Sequence, residues 1–219
     1  EAGEWGPGDA IPSEGELAAR FNVSQGTVRK AIDEMAAENL LIRRQGKGTF
    51  VASHDDPRSF YRFLRLVPDD GNAAQAVSVP LSCSTKNADA EVAAALGLKL
   101  GDPVIYVERL LRFNGETVVF DQIHLVSDLF AGLTLESLSG GDRSLYSLFE
   151  NDYGVRMIHA EEHLRAVAAD PYRAGLLAVP SGSPLLLVER TAYTYGNKPV
   201  EWRRGLYCTN RHYYRNDLG

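Results

Sequence analysis

Three basic side chains crowd a short glycine-containing segment and provide the clearest chemistry in the sequence. Arg43, Arg44 and Lys47 surround Gly46 and Gly48, with no acidic residue between positions 40 and 52. Apolar runs enter and leave this segment, so the pattern predicts a β-hairpin with a basic tip. Guanidinium and ammonium groups clustered in this way are suited to binding phosphate oxygens.

A second anion-binding chemistry is offered by the C-terminal half. Arg109 and Arg112 precede the turn at Asn114 on a predicted strand, and guanidinium groups match carboxylate or phosphate oxygens. Side chains three positions apart point to opposite faces of a regular strand, so at most one faces a pocket unless a bulge intervenes. Ser144 opens a predicted helix, where free amides and a hydroxyl also suit an anion.

The segment from His159 to His163 carries the pattern His-x-x-Glu-His, which occurs in some zinc peptidases. That chemistry needs a helix, because both histidines must reach one ion at about 2 Å. The surrounding apolar residues favour a strand, in which residues four apart are separated by about 13 Å. We therefore predict no metal site. The sequence also indicates no cofactor and no catalytic residue.

Two short helices must position the basic hairpin. Ser13 and Glu16 predict a capping box, and Ser24 caps a second helix in which Val28 and Ile32 recur at helical spacing. A helix pair followed at once by a basic hairpin is the outline of a winged helix-turn-helix, whose second helix enters the major groove of DNA. The predicted DNA-binding residues are Ser24, Gln25, Gly26, Thr27, Arg29, Lys30, Arg43, Arg44, Gln45, Gly46 and Lys47.

Two other interpretations fit the same residues: an ordinary helical pair with solvated charges, and a winged helix that binds protein. The formal net charge of −6 excludes a nucleic-acid binder coated in positive charge, so any DNA contact must be a local patch. The basic hairpin directly after the helices favours DNA.

The composition of the 219-residue chain suits one large domain or two small ones. Cys83 and Cys208 are far apart and form no disulfide or metal pattern, as in a cytoplasmic protein with reduced thiols. No apolar run approaches the roughly 20 residues of a membrane span, and no signal peptide is recognisable. We therefore expect a cytoplasmic location and no membrane partner.

The sequence after the hairpin predicts a second domain. Residues 56–76 form a linker that is either flexible or a strand of that domain, and the absence of Gly or Ser richness favours the strand. Residues 77–219 alternate strands, hairpins and short helices. Successive hairpins with helices packed on them give an α+β domain with a mainly antiparallel sheet.

Segments 9–19, 23–31 and 39–51 together resemble the GntR family of bacterial transcription regulators. The resemblance implies a winged helix-turn-helix domain at residues 1–55 and a further helix upstream of Glu1. Gly15 and Gln25 depart from the family pattern, which usually has arginine at both positions. Loss of the first arginine implies weaker phosphate contact. Glutamine at the second pairs adenine better than guanine, which implies an altered operator.

The order of strands, hairpins and helices over residues 77–219 resembles the UTRA effector domain of the HutC branch, whose fold is similar to chorismate lyase. The effector-binding residues that this resemblance implies are Arg109, Arg112, Asp121, Ser144, Tyr146, Glu201 and Tyr207. Leu111 stands where sugar-phosphate-binding relatives carry a second arginine. Both a sugar phosphate and a carboxylate therefore stay open as the effector.

The two resemblances imply a regulator, expected to be a repressor, that binds a palindromic operator as a homodimer. A small anionic metabolite is expected to release it by favouring one arrangement of the DNA-binding heads. The alternative is an enzyme with a lyase-like fold fused to a winged-helix module. No pairing of nucleophile and base supports that alternative, and analogy of fold alone is a weak argument.

Overall fold

The computed structural model describes residues 4–55, 64–71, 76–140 and 143–216. Its N-terminal part contains helices α1 (Glu14–Phe21) and α2 (Gln25–Ala37), followed by strands β1 (Leu41–Arg44) and β2 (Gly48–Val51). The two strands pair antiparallel, with Arg44 opposite Gly48. The predicted helix pair and hairpin are therefore present in the predicted order.

Local capping explains where the first two helices begin and end. The hydroxyl of Ser13 accepts from the Glu16 amide, and the Glu16 carboxylate accepts from the Ser13 amide, which confirms the capping box. Asn22 ends α1 in the left-handed conformation, with φ at 53°. Ser24 begins α2 by accepting from the amide of Thr27 at 3.1 Å.

The N-terminal part has a small core of its own. Phe21, the last residue of α1, lies outside this core: it is 57% exposed and contacts the guanidinium of Arg20. The buried core residues are Leu17, Ala18, Val28, Ile32 and Leu41, with Trp5, Ile11 and Val51 packed partly against them.

A sheet of antiparallel strands forms the centre of the second part. Its order is β4-β5-β6-β9-β8-β7. The strand bounds are β4 Ala76–Asn87, β5 Pro103–Phe113, β6 Glu116–Val126, β7 His159–Ala168, β8 Pro184–Thr194 and β9 Lys198–Tyr207. Hairpins join β5 to β6 and β8 to β9, as the sequence predicted. The α+β prediction with an antiparallel sheet is confirmed.

Helices cover both faces of this sheet. They are α3 Ala90–Leu96, α4 Leu135–Ser139, α5 Leu145–Tyr153 and α6 Pro171–Leu177. Helix α3 packs on the face that carries Val104 and Trp202, and α5 packs on the opposite face with Val107 and Ile123. Within the described residues, no helix combines the length and apolar character needed to cross a membrane.

The predicted linker contains a short strand. Strand β3 (Leu66–Pro68) pairs antiparallel with β10 (His212–Tyr214) near the C-terminus. This pairing supports the interpretation of the stretch as a strand of the second part. Residues 56–63 and 72–75 of the predicted linker lie outside the described residues.

Candidate effector and DNA-binding sites

Charged side chains from neighbouring strands meet on the α5 face of the sheet. Arg109 on β5, Asp121 on β6, and Glu201 and Arg203 on β9 are buried. Arg109 donates from Nε to Oδ2 of Asp121 at 2.9 Å, and Arg203 donates to the same oxygen at 3.3 Å. Arg203 also donates to Glu201 at 3.0 Å. We call these four residues, with Tyr146, the charge cluster.

Helix α5 contributes Tyr146 to the charge cluster from its first turn. The Tyr146 hydroxyl donates to Oε1 of Glu201 at 3.0 Å, and its ring centre lies 5.6 Å from the guanidinium carbon of Arg203. Burial and the charge of Glu201 raise the pKa of Tyr146 to about 12, so this hydroxyl stays a donor at neutral pH. Ser144 caps the same helix by accepting from the Ser147 amide at 3.1 Å.

The arginines of the charge cluster influence each other. Burial and the nearby Arg203 charge lower the pKa of Arg109. Burial also acts to lower the pKa of Arg203, but the charges of Glu201 and Asp121 outweigh it and raise the pKa. Both carboxylates are therefore needed to hold two guanidinium groups in a buried site.

Tyr207 lies beside the charge cluster because residue 205 has no side chain. A Cβ at Gly205 would lie 2.6 Å from the Tyr207 ring and 2.8 Å from Oδ1 of Asp121. Sequence reasoning missed Gly205, although a glycine inside a strand often marks such a close approach.

Sequence reasoning also missed Arg203 and a neighbouring pair. Arg190 on β8 lies opposite Arg203 and donates from Nε to Glu162 of β7 at 2.7 Å. The Tyr214 hydroxyl donates to the other oxygen of Glu162. The available signal was strand alternation, because residues two apart share a face. Arg203 follows Glu201 by two positions, but the sequence does not reveal which strands are neighbours.

Of the predicted effector residues, the structure brings together Arg109, Asp121, Tyr146, Glu201 and Tyr207, with Ser144 at the start of α5. The structure does not bring Arg112 to these residues. Arg112 is exposed and lies on the opposite face of β5 from Arg109, because β5 keeps its alternation and the extra residue at the register shift, Val118, is on β6.

The predicted DNA-binding residues of α2 lie on its exposed surface. Gln25, Gly26, Thr27, Arg29 and Lys30 are all exposed, and Ser24 caps the helix. The guanidinium of Arg29 is held by helix α1. Its Nε and Nη2 donate to Oε2 of Glu14 at 3.0 and 2.8 Å.

The three basic side chains of the hairpin do not all lie at its tip, where the sequence pattern placed them. Arg43 bonds to Asp33 and lies 3.6 Å from Oε1 of Glu14. Arg44 is half-buried, and its guanidinium carbon lies 4.6 Å from the centre of the Phe50 ring. Of the three, Lys47 projects from the exposed turn itself.

The exposed turn carries Gln45, Gly46 and Lys47. Gly46 and Gly48 have φ values of 70° and 112°, a backbone conformation that residues with a side chain rarely adopt. The two glycines therefore allow the tight turn that presents Lys47.

Comparison with known proteins identifies both parts. The model of bacterial regulatory proteins of the gntR family matches residues 1–51, and the UTRA domain model matches residues 75–213. The HTH-type transcriptional regulator Rv0792c of Mycobacterium tuberculosis is 32% identical over 89% of this chain and 72% of its own length. The transcriptional regulator PhnF of Escherichia coli is 32% identical over 89% of this chain and 80% of its own length.

The chain belongs to the GntR family of bacterial transcription regulators. Its UTRA domain is consistent with the HutC branch, and its named relatives are regulators rather than enzymes. A solved ligand-binding domain of a GntR-family regulator from Bordetella bronchiseptica is 48% identical, with a TM-score of 0.70, and covers 73% of this chain and 99% of that chain.

Helix α5 of this GntR-family regulator also holds the segment that leaves the hairpin. Glu150, one turn after Tyr146, accepts from the Ser53 hydroxyl at 2.8 Å and from the His54 amide at 2.7 Å. The rings of His54 and Tyr146 are 5.5 Å apart between centroids. The side chain of Asp55 is bound by Ser147. One helix therefore contacts both the charge cluster and the DNA-binding part.

A buried ion pair extends this contact to the end of α2. Arg156 lies 3.4 Å from Glu150, measured from Nε to Oε1, and both side chains are buried. Arg156 also donates from Nη2 to the carbonyl of Asn39 at 3.1 Å. We call the contacts of Ser53, His54, Asn39, Glu150 and Arg156 the junction. Sequence reasoning missed the junction, since its residues are about 100 positions apart.

Proposed function

We propose that this protein is a cytoplasmic homodimeric repressor that binds a palindromic operator and is released by a small anionic metabolite. The observation that carries this proposal is helix α5, which contacts the charge cluster with Tyr146 and the junction with Glu150. The proposal of a repressor is supported by relatives named as transcriptional repressors, including NagR of Bacillus subtilis, which is 26% identical over 96% of this chain.

The charge cluster is the proposed effector site. Arg109 and Arg203 supply guanidinium donors for an anionic group. Oδ1 of Asp121 is buried and has no hydrogen-bond partner among the described residues, so a ligand hydroxyl would supply the donor that it lacks. An anion that also carries hydroxyls fits both features. A sugar phosphate is therefore the first candidate, and a carboxylate is the second because Leu111 replaces an arginine.

The proposed response follows from the position of α5. A ligand changes DNA binding only if it favours one arrangement of the DNA-binding heads over another. Bonds from a ligand to Tyr146 or Ser144 would shift α5, which also holds Ser53 and His54. The ligand would then alter the position of the hairpin and α2 relative to the sheet. In a dimer, such a shift changes the spacing of the two recognition helices.

A thermal-shift screen of the purified chain against phosphorylated sugars and organic acids tests the effector site. A ligand that binds the folded chain raises the unfolding temperature, and the increase grows with the logarithm of its concentration divided by its dissociation constant. We expect stabilisation by at least one such anion in the wild type and its loss in Arg109→Gln. Arg112→Gln is the matched control and should respond like the wild type. Equal loss in both variants would contradict the assignment.

A further inference from the structure

Helix α1 contacts α2, the proposed recognition helix, at two residues of the predicted DNA-binding surface. Gln25 and Arg29 are four positions apart on α2, so they lie on one face of the helix, and both are exposed. Two successive residues of α1, Glu14 and Gly15, contact them. Glu14 binds Arg29, and Gly15 lies under the amide of Gln25.

Glu14 engages one edge of the Arg29 guanidinium and leaves the other edge open. Its Oε2 accepts from Nε at 3.0 Å and from Nη2 at 2.8 Å. The guanidinium has five N–H donors in a planar fork, so Nη1 and the second hydrogen of Nη2 remain for another partner. That edge matches the O6 and N7 acceptors of guanine in the major groove. The hydrogen bond from Arg29 lowers the pKa of Glu14, which keeps the carboxylate charged.

Gly15 provides the space in which the Gln25 side chain lies. A Cβ at position 15 would be 3.2 Å from Nε2 of Gln25, closer than an ordinary van der Waals contact. Gly15 is inside α1 and its φ is not positive, so alanine fits its backbone and has a higher helix propensity. Substitution by alanine would therefore move the Gln25 amide without weakening the helix.

We propose that Glu14 and Gly15 are specificity-determining residues that position Arg29 and Gln25 for reading neighbouring bases of the operator. Gln25 reads an adenine and Arg29 reads a guanine. Gly15 and Gln25 act as a pair, so the two departures from the family pattern are one adaptation. This inference rests on the proposed operator binding.

The test is selection of bound sequences from a randomised duplex library by the full-length protein, for the wild type and three variants. In Gly15→Ala, the preference for adenine at the operator position that Gln25 reads falls about tenfold, while the preference for guanine at the position that Arg29 reads is unchanged. In Glu14→Ala, discrimination in favour of guanine falls by a similar factor at the Arg29 base. Gly175→Ala, another helical glycine with no atom within 4 Å of the added Cβ, is the control and keeps both preferences.

The outcomes separate this inference from the function on which it rests. If the wild type selects no sequence, operator binding itself fails and the inference fails with it. If the wild type selects a sequence but Gly15→Ala keeps the same preferences, only the positioning roles are overturned. A uniform loss of preference at all bases in Gly15→Ala would also overturn the positioning roles, because unfolding of the domain, and not a moved glutamine, would then explain the loss. Circular dichroism of each variant measures that unfolding directly.

Discussion

Replacing Glu150 with glutamine should open the junction while leaving both parts folded. The glutamine has nearly the same shape, but it removes the charge that faces Arg156 and weakens the hydrogen bonds from Ser53 and His54. Loss of one partner of a buried ion pair typically costs about 3–5 kcal/mol. The remaining carbonyl oxygen still accepts a hydrogen bond, so we take the lower end, about 3 kcal/mol.

That energy converts into a measurable change in amide exchange. A difference of about 3 kcal/mol changes the equilibrium between closed and open junction by roughly 150-fold, at about 1.4 kcal/mol for each factor of ten. The His54 amide donates to Glu150, so its protection from hydrogen exchange should fall by up to that factor. The amides of strands β5 and β6 should keep their protection, since their bonds do not involve the junction.

Hydrogen exchange followed by mass spectrometry on the purified chain measures this change. Glu136→Gln is the control, because it makes the same chemical change at an exposed position on α4. Unchanged protection of the peptide containing His54 in Glu150→Gln would refute the reasoning. So would an equal loss of protection across the whole sheet, because the effect would then be on the fold and not on the junction.

Three further predictions concern DNA binding, packing and pH. Lys47→Ala should reduce operator affinity more than Gln25→Ala, since Lys47 lies in the exposed turn. It should also reduce the slope of log affinity against log salt concentration by about one. A binding titration at several salt concentrations measures both effects. Gly205→Ala should destabilise the second part by about 1–3 kcal/mol in urea unfolding, because its Cβ would overlap the Tyr207 ring. Burial lowers the pKa of His124 to about 4, below its unfolded value. The stability of the fold should therefore be unaffected by His124 above about pH 6.5 and should fall as the pH drops toward 4. His124→Gln should flatten this pH dependence of the unfolding temperature.

The features predicted from sequence are those that neighbouring residues determine. Three such features involve residues only a few positions apart: the capping box at Ser13 and Glu16, the cap at Ser24 and the glycines of the hairpin turn. The local sequence pattern was therefore sufficient to predict them. Strand β7 was also recognised from its alternation, which removed the zinc interpretation of His159 and His163.

The features that escaped prediction depend on which strands are neighbours and on side-chain direction. Arg190 and Arg203 lie opposite each other only because β8 pairs with β9 in one register. Arg112 was assigned to the site by the resemblance, whereas the uninterrupted alternation of β5 puts it on the opposite face from Arg109. Glu150 resembled any surface carboxylate of an amphipathic helix, although the structure buries it against the hairpin exit.

Operator affinity of the full-length protein, with and without the anion found by the thermal-shift screen, tests the central claim most directly. Fluorescence anisotropy of a labelled operator from the selection experiment gives both dissociation constants. We predict that the anion weakens operator binding at least tenfold in the wild type. We also predict that Arg109→Gln abolishes this effect without changing operator binding in the absence of the anion. Unchanged or tighter operator binding in the presence of the anion would contradict the account.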